Sequence, residues 1–336
     1  MRVLVTGCAG FIGMHCAQRL CARGDQVVGL DNLSPYYSVQ LKQDRLAQLE
    51  AVAGFRFARI DLADAQRLAQ AFADAEPELV LHLAAQPGVR HSLENPAAYV
   101  QANLVGFANL LEGCRRHRTR HLVYASSSSV YGGNAKLPLS EADAVDHPVS
   151  LYAATKKSDE LMAHAYSHLF GLPATGLRYF TVYGPWGRPD MSPTLFARAI
   201  MQGEPLRVFN HGDMQRDFTY VDDIVEGTLR ALDQPASPDP AFDPKKPDPA
   251  TSWAPWRVYN IGNHEPVALL DYIAALERAL GRKAVLDLRP MQPGDVYATY
   301  ADTARLREAV GFAPATPLAD GIARFASWFK AYYGHA

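Results

Sequence analysis

Two residues four positions apart, Tyr152 and Lys156, have the types and spacing of an acid–base pair. On a helix this spacing places both side chains on one face. A tyrosine with an ordinary pKa of about 10 is a poor base near neutral pH. A neighbouring ammonium group favours the phenolate and so lowers the pKa of the tyrosine. The pair therefore predicts a tyrosine that removes a proton from a substrate, although this spacing alone is common by chance.

The run of serines before the pair, Ser126 to Ser129, strengthens this prediction. It follows an apolar run that is typical of a strand, and the ends of parallel strands face the ligand crevice of a doubly wound sheet. A hydroxyl group at that edge can donate a second hydrogen bond to the reacting oxygen. We therefore predict that Ser127, Tyr152 and Lys156 are the catalytic residues.

A glycine triplet near the N-terminus, Gly7, Gly10 and Gly13, lies between a predicted strand and a predicted helix. This spacing permits a tight turn, close approach of a pyrophosphate and close packing of the helix on the strand. The phosphates would meet N–H groups in the first turn of the helix, which contains Phe11 and Ile12. The triplet alone is weak, but its strand–turn–helix context is the one that dinucleotide binding requires.

Two acidic positions extend the predicted dinucleotide site. Asp31, followed by Asn32, ends the second predicted strand, where a carboxylate binds the ribose hydroxyls of adenosine. Such a carboxylate repels a 2′-phosphate and so favours NAD over NADP, and the alternative is a turn that begins at Asp31. Asp61 and Leu62 end the next strand and could hold the adenine edge, whereas a helix N-cap at Asp61 is an equally good interpretation.

Apolar runs alternate with amphipathic ones through the first half of the chain, which predicts parallel strands joined by helices. The predicted strands are 2–6, 26–31, 55–61, 79–83, 121–126 and 174–179, and the predicted helices are 12–23, 65–75, 98–116, 151–170, 267–280 and 318–333. The strands are almost wholly apolar, as in a sheet covered on both faces. The predicted fold class is α/β, a Rossmann-type doubly wound parallel sheet with a smaller C-terminal α/β substrate lobe. Residues 184–193 are predicted to form a loop and the Pro-rich stretch 234–255 an exposed, mobile insertion.

The chain has 336 residues, of which 48% are hydrophobic and 20% charged, and its formal net charge is −2. These values are ordinary for a globular protein and give no basic field for nucleic acid or an anionic membrane. We find neither a membrane-spanning apolar stretch nor a signal peptide. None of the four cysteines has metal-binding spacing, so we expect no metal and a cytoplasmic protein with reduced thiols.

The glycine loop, the serine run and the Tyr152–Lys156 pair together resemble the extended short-chain dehydrogenase/reductase family, over essentially the whole chain. The resemblance implies NAD as cofactor, an NAD-binding Rossmann domain at 1–180 and a mainly nucleotide-sugar-binding lobe at 181–336 that interleaves with it. The segment 216–223 is typical of members that modify nucleotide sugars, where the arginine matching Arg216 contacts the diphosphate. Further implied cofactor contacts are Leu83, Ala84, Ala85, Asn103 and Tyr179.

Departures from related patterns narrow the implied reaction. Dehydratases of this family that act on nucleotide sugars carry an Asp-Glu pair where this chain has Ser128 and Ser129, and UDP-glucuronate decarboxylases carry a glutamate at the second position. Without those acids, the remaining chemistry is oxidation and re-reduction at C4, which is epimerisation. Segments 31–37, 86–92 and 291–296 resemble UDP-glucuronate 4-epimerases, so the implied reaction converts UDP-glucuronate into UDP-galacturonate through a 4-keto intermediate.

The resemblance also implies contacts with the UDP-sugar and a homodimer, formed by the helices predicted at 98–116 and 151–170. Thr181 stands where UDP-glucose 4-epimerases usually have an asparagine, which favours an acid sugar. Arg188 could make a charge-assisted bond to the sugar carboxylate, or it binds the diphosphate or nothing. The alternatives are a 4-epimerase for UDP-glucose or UDP-N-acetylglucosamine and, remotely, a non-catalytic NAD-binding scaffold. The implied substrate contacts are Arg90, Ser128, Ser129, Thr181, Arg188, Val208, Arg216, Gln292 and Asp295.

Overall fold

The computed structural model describes residues 1–291 and 297–334. The first half of the chain forms β1 (Arg2–Thr6), α1 (Phe11–Ala22), β2 (Gln26–Asp31), α2 (Val39–Glu50), β3 (Phe55–Arg59), α3 (Ala65–Ala75), β4 (Leu79–His82), α4 (His91–Glu94), α5 (Pro96–Tyr99), α6 (Gly106–Arg116), β5 (His121–Ser127), α7 (Leu151–Phe170) and β6 (Ala174–Tyr179). The second half forms β7 (Thr181–Tyr183), α8 (Ser192–Gln202), β8 (Pro205–Val208), β9 (Gln215–Tyr220), α9 (Val221–Asp233), β10 (Trp256–Ile261), β11 (Pro266–Ala268), α10 (Leu269–Leu280), β12 (Val285–Leu288), β13 (Ala298–Thr299), α11 (Ala304–Val310) and α12 (Leu318–Tyr333).

The main sheet has seven parallel strands among the described residues, in the order β10-β6-β5-β4-β1-β2-β3. From β1 the chain first builds outward through β2 and β3, and then crosses to the other side through β4, β5 and β6. This change of direction opens a crevice at the carboxyl ends of β1 and β4, where doubly wound sheets bind their ligands. The predicted fold class is confirmed.

The apolar run of β1 explains how the sheet is covered on both faces. Val3 and Val5 pack in the core cluster that contains residues of α1 and α9, whereas Leu4 packs in the cluster that contains residues of α3 and α6. Successive side chains of a strand point to opposite faces of the sheet. The three apolar residues at the centre of β1 therefore contribute to two cores at once.

One predicted helix is interrupted in the structure, and α2, α8, α9 and α11 were not predicted. The helix predicted at 98–116 is interrupted, because a π-helical segment, Val100–Val105, connects α5 to α6. α2 was not predicted, since its buried face includes the charged residues Lys42 and Arg45, and these break the apolar periodicity by which a helix is recognised. The prediction missed β10 as well, although this strand pairs with β6 in the main sheet.

The Pro-rich stretch 234–255 is exposed in its middle but packed at its C-terminal end. Ala250 and Ser252 are fully buried, and the hydroxyl of Ser252 is 2.8 Å from Nε2 of His164 on α7. The Nε1–H of Trp253 donates to Nδ1 of His168, also on α7, at 2.9 Å. The prediction of an exposed insertion is therefore wrong for this end, which lies against α7.

The C-terminal half returns to the main sheet through β10 and otherwise forms two small sheets. In the larger of these, β9 pairs with β7, β11 and β13; in the other, β12 pairs with β8. None of the helices in the described part of the chain is long and apolar enough to cross a membrane.

Candidate active site

One cavity at the carboxyl ends of the main-sheet strands brings together most of the predicted site residues. Its volume is about 400 Å³, within the usual range of about 300–1,000 Å³ for small-molecule sites. The predicted residues that line it are Gly7, Gly10, Phe11, Ile12, Gly13, Asp31, Asn32, Asp61, Leu62, Leu83, Ala84, Ala85, Ser127, Ser128, Ser129, Tyr152, Lys156, Tyr179, Thr181 and Arg188.

The charged residues of this cavity are divided between its two ends. Among the described residues, the carboxylates that line it are Asp31 and Asp61, which lie near the glycine loop. The end that contains Tyr152 is lined instead by hydroxyl groups and by the cations Lys156 and Arg188. This end therefore suits an anionic or hydroxyl-rich ligand, and no carboxylate among the described residues lines it.

The glycine loop leaves no room for side chains. Gly7 has a φ of +72°, and a Cβ there would lie 2.7 Å from the backbone nitrogen of Ala84. A Cβ on Gly13 would lie 2.1 Å from the carbonyl oxygen of Gly7. α1 begins directly after this turn, and no side chain caps its N-terminus. Its first N–H groups are thus available to a pyrophosphate, so the loop fits a dinucleotide.

Asp31 connects the end of β2 to the glycine loop. One of its carboxylate oxygens accepts a hydrogen bond from the N–H of Ala9 at 3.2 Å, and the other accepts from the N–H of Leu33 at 2.8 Å. The second bond closes the turn that was the alternative interpretation of Asp31, so the turn exists and the carboxylate still lines the cavity. Burial raises the pKa of Asp31 above its ordinary value.

Asp61 lines the same cavity as Asp31 and does not cap a helix. Its carboxylate accepts a hydrogen bond from Nδ2 of Asn32 at 3.0 Å. α3 is capped by Asp64, whose side chain accepts from the N–H of Arg67 at 3.0 Å. The N-cap interpretation of Asp61 is therefore wrong, and the residue stays exposed at the rim.

The serine run divides between structural and cavity-facing hydroxyl groups. Ser126 donates its hydroxyl hydrogen to the carboxylate of Glu160 at 2.7 Å and is buried. Ser127, the last residue of β5, accepts from the N–H of Ser129 at 3.2 Å, and its own hydroxyl donates to that of Ser129 at 3.1 Å. Ser127 is therefore better placed than Ser126 to meet a ligand beside Tyr152.

Tyr152 and Lys156 both line the cavity from the first turns of α7, as their spacing predicts. The helix is capped by Ser150, whose hydroxyl accepts from the N–H of Ala153 at 3.1 Å. The ammonium group of Lys156 donates to Oδ2 of Asp159 at 2.8 Å, and both side chains are buried. The sequence analysis missed Asp159, although its place three residues after Lys156 put it within reach on the same helix.

Asn103, predicted to bind the cofactor, lies behind the cavity instead of lining it. Its amide oxygen accepts from the N–H of Gln86 at 2.8 Å, and its amide nitrogen donates to the hydroxyl of Thr155 at 3.0 Å. It belongs to the π-helical segment that interrupts the predicted helix. Asn103 thus braces the loop after β4 against α7, next to the residues of the Tyr152–Lys156 pair.

Arg188 reaches the cavity from the loop after β7, and two residues that the sequence analysis missed hold it there. Its Nε–H donates to Oδ1 of Asp190 at 3.1 Å. The other oxygen of Asp190 accepts from the hydroxyl of Tyr36 at 3.1 Å. Burial would lower the pKa of Arg188, but the hydrogen bond that it donates to Asp190 raises that pKa, so the guanidinium is charged.

Another residue that was not predicted from the sequence, Arg45 of α2, joins the loop of Arg188 to the glycine loop. It is fully buried and donates to the carbonyl oxygen of Ala9 at 3.1 Å. The same guanidinium donates to the carbonyl oxygen of Trp186 at 2.7 Å and to the hydroxyl of Tyr37 at 2.7 Å. The side chain of Arg45 therefore connects the loops at the two ends of the cavity.

Three more of the predicted substrate residues, Arg90, Val208 and Arg216, do not line this cavity. Arg90 is exposed, and its Cζ is 5.9 Å from the ring centroid of Phe209, the residue after the buried Val208. Arg216 on β9 donates to the carbonyl oxygen of Tyr297 at 3.1 Å. Gln292 and Asp295 lie outside the described residues.

The geometry of the glycine loop yields a test. Alanine at Gly13 would put a methyl group against a backbone oxygen, so the turn must shift and we expect NAD affinity to fall at least about tenfold, or about 1.4 kcal/mol. Isothermal titration with NAD measures the change. Gly133→Ala is the control, because a Cβ at Gly133 meets nothing within 4 Å. Unchanged NAD affinity in Gly13→Ala would contradict this role of the loop.

Comparison with known proteins agrees with this geometry. The model of the NAD-dependent epimerase/dehydratase family matches residues 3–262. A probable UDP-glucuronate 4-epimerase of Rhizobium meliloti (strain 1021) is 49% identical over 337 residues, which cover 100% of this chain and 99% of the relative.

Two solved structures are also similar to this chain. The UDP-glucuronic acid 4-epimerase of Bacillus cereus, in complex with UDP-glucuronic acid and NAD, is 34% identical with a TM-score of 0.85, and the match covers 99% of this chain and 100% of that one. The UDP-glucose 4-epimerase of Thermotoga maritima, with UDP-glucose, is 28% identical with a TM-score of 0.85 over 99% and 100% of the two chains. With a family match over most of its length and a relative aligned from end to end, this chain belongs to the NAD-dependent epimerase/dehydratase family.

Proposed function

We propose that this chain is an isomerase that catalyses the NAD-dependent C4 epimerisation of UDP-glucuronate to UDP-galacturonate. The observation that carries the proposal is the lining of the cavity around Tyr152, which combines hydroxyl groups with Arg188 and has no carboxylate among the described residues. Hydroxyl groups and a guanidinium suit a sugar carboxylate, and the missing acid argues against dehydration. The similarity to the Rhizobium meliloti and Bacillus cereus proteins supports the same substrate.

The cofactor would lie along the cavity from the glycine loop to Lys156. The pyrophosphate would meet the first turn of α1, the carboxylate of Asp31 the adenosine ribose, and the ammonium group of Lys156 the nicotinamide ribose. When bound, NAD accepts a hydride from C4 of the sugar and returns it to the opposite face of the same carbon.

The proton chemistry falls to Tyr152 and Ser127. The phenolate of Tyr152 removes the proton of the sugar 4-hydroxyl, while the hydroxyl of Ser127 donates a hydrogen bond to the same oxygen. The 4-keto sugar then turns about its diphosphate and presents its other face. Tyr152 finally returns the proton to the oxygen, so the enzyme ends in its starting protonation state.

A glucuronate substrate brings a hazard, because its 4-keto form is a β-keto acid. Such an acid loses CO2 when the bond between C5 and the carboxylate aligns with the π system of the ketone. Charge-assisted hydrogen bonds from Arg188, with neutral donors from Ser128, Ser129 and Thr181, would hold the carboxylate out of that alignment. These residues thus protect the intermediate as well as bind the substrate.

The first test follows the purified protein by proton NMR with UDP-glucuronate and, separately, UDP-glucose. We expect UDP-galacturonate from the first, little UDP-pentose, and no turnover by Tyr152→Phe, because that variant lacks the base. If only UDP-glucose were turned over, the substrate would be a neutral sugar and the proposal of UDP-glucuronate would be wrong; the Thermotoga maritima structure contains UDP-glucose. Full turnover by Tyr152→Phe would refute the mechanism, and no wild-type turnover at all would favour a non-catalytic NAD-binding scaffold.

Arg188→Met tests the carboxylate contact. A charge-assisted hydrogen bond contributes about 1.5–3 kcal/mol, so we expect KM for UDP-glucuronate to rise at least about tenfold. The fraction of UDP-pentose among the products should rise as well, because the carboxylate is held less firmly. Arg56→Met removes an exposed arginine and serves as the control. A variant with wild-type KM and no UDP-pentose would assign Arg188 to another role.

The predicted substrate residues that do not line the cavity suggest how the nucleotide is bound. We propose that Arg90, Val208 and Arg216, with Gln292 and Asp295, bind the uridine diphosphate, so that residues 181–336 supply most of the nucleotide-sugar site and residues 1–180 the NAD site. The support is that Arg90 and Val208 both adjoin Phe209, and that Arg216 lies on the central strand of the neighbouring small sheet.

The faces of α6 and α7 support a homodimer, which we propose as the working state. Leu161 and Leu169 of α7 are 59% and 67% exposed, and the π-helical segment before α6 exposes Val105 as well. A two-fold axis would pair these helices with their copies and bury the apolar side chains.

Analytical ultracentrifugation tests the dimer. We expect a mass of twice 36.9 kDa for the wild type and a shift toward monomer for Leu161→Glu, which places a charge in the proposed interface. Leu288→Glu is the control, because Leu288 is 49% exposed but lies on β12, away from these helices. A wild-type protein that stays monomeric at micromolar concentration would contradict the proposal.

We also propose a cytoplasmic location. All four cysteines are free and buried, which fits a reducing compartment. Recovery of the native protein in an extracytoplasmic fraction would contradict this.

A further inference from the structure

Lys156 has a buried acidic partner that the mechanism above does not use. Its ammonium group is 2.8 Å from Oδ2 of Asp159, and the side chains are 2% and 1% exposed. The second oxygen of Asp159, Oδ1, is buried without a hydrogen-bond partner. Among its described contacts, the Asp159 carboxylate thus binds Lys156, the partner of the proposed base Tyr152.

The next residue, Glu160, is also a buried carboxylate, but its charge is balanced elsewhere. Arg178 donates to its two oxygens at 2.8 and 2.9 Å, and the hydroxyl of Ser126 donates at 2.7 Å. The ammonium group of Lys157 is 3.6 Å away. Burial alone would raise the pKa of Glu160, but Arg178 holds it below its ordinary value, so Glu160 is ionised.

The other titratable groups that face this pair from the main sheet are uncharged. Nδ1 of His82 on β4 is hydrogen-bonded to the hydroxyl of Thr6 at 2.7 Å. Burial and, to a smaller extent, the charge of Lys156 hold the pKa of His82 well below its ordinary value. Tyr124 on β5 is buried, which raises its pKa well above the ordinary value, and both Glu160 and Asp159 add to that rise. The charged groups that face the base are therefore Lys156, which is paired with Asp159, and Arg188, which is paired with Asp190.

We propose that Asp159 is a positioning residue that holds the ammonium group of Lys156 in place and offsets its charge, and so sets the pH above which Tyr152 acts as a base. An isolated ammonium group beside a phenol favours the phenolate strongly. A carboxylate 2.8 Å from that ammonium group cancels much of its field at the phenol. Removing the charge of Asp159 while keeping its hydrogen bond to Lys156 should therefore shift the acid limb of activity to lower pH.

The pKa of Asp159 lies in a range where its effect on Tyr152 can be measured. Burial raises its pKa to about 6, although Lys156 opposes the rise. Above about pH 6 the carboxylate is ionised and offsets Lys156; below it the carboxyl is neutral and the full charge of Lys156 acts on Tyr152. The influence of Asp159 on the base should therefore be present at neutral pH and fade in acid.

The test is Asp159→Asn in the full-length protein, because asparagine can still accept the hydrogen bond from Lys156 but has no charge. The inference rests on the proposed role of Tyr152, so kcat/KM is followed against pH with whichever UDP-sugar the wild type turns over. We expect the acid limb to move to lower pH by about one unit, which gives up to about tenfold higher kcat/KM on that limb. The plateau at higher pH should fall, because a less basic tyrosine is a weaker catalyst.

A second signature separates this effect from a structural one. The gain of Asp159→Asn over the wild type should shrink as the pH falls through about 6, where wild-type Asp159 becomes neutral too. Glu112→Gln is the control, since it makes the same change of net charge on the surface of α6, where Glu112 pairs with Arg115 and Arg116. Its acid limb should match that of the wild type.

Difference absorbance of the tyrosinate, with Tyr152→Phe as reference and NAD bound, gives a direct measurement that needs no turnover. The titration midpoint of Tyr152 should be lower in Asp159→Asn than in the wild type. If the asparagine variant is not recovered folded, Asp159→Ser takes its place. An acid limb and a midpoint that stay at the wild-type pH, or that move to higher pH, would overturn the inference. Failure of the wild type to turn over any UDP-sugar would refute the proposed function and leave this titration decisive for Asp159.

Discussion

The main sheet is covered by helices on both faces, and this constraint decides where several polar groups of the site stand. A strand that is buried on both faces has no position for an unpaired polar side chain along its length. A polar side chain that is free to meet a ligand can therefore follow a strand only where it ends, whereas a buried one such as Arg178 on β6 is paired. Asp31, the serine run and Thr181 all stand at or just beyond such ends, and parallel strands bring those ends to one edge. The burial of the strands on both faces thus decides where the cavity forms.

Buried charges fasten the elements around this edge. Arg45 joins α2 to the glycine loop and to the loop of Arg188, and the Arg178–Glu160 pair joins β6 to α7. Burying a charge is costly unless it is paired and hydrogen-bonded, and removing one partner of a buried pair costs about 3–5 kcal/mol. Such contacts resist small displacements, which suits a reaction that needs a base, a hydroxyl group and a cofactor in fixed register.

Much of the sheet could be predicted from the sequence, because apolar runs with glycine turns between them have few other folds open to them. The bounds of β1, α3, α7 and β6 agree with the predictions residue for residue. α2 could not be recognised, since the charged face that Arg45 needs for its buried contacts is also the feature that hides the helix. The break in the helix predicted at 98–116 was equally hidden, because a π-helical segment leaves no mark on apolar spacing.

The candidate site could be predicted as far as local motifs reach. The glycine loop, the serine run and the Tyr152–Lys156 pair each lie within a short stretch of sequence, and the structure gathers all three into one cavity. The contact between Tyr36 and Asp190 joins residues 154 positions apart. No spacing rule finds such a pair, because the distance between them is decided by the fold of everything in between.

That long-range contact has a consequence for any attempt to redesign the sugar preference. The loop that carries Arg188 looks like a portable unit, since it is a short connection between β7 and α8. Its arginine, however, is oriented by Asp190, which is in turn held by a tyrosine from the segment that follows Asp31 at the cofactor end. A loop transplanted into a related scaffold would arrive without that tyrosine and with a loosely held guanidinium. The orientation of Arg188 is thus a joint property of two distant segments, and a graft would have to move both.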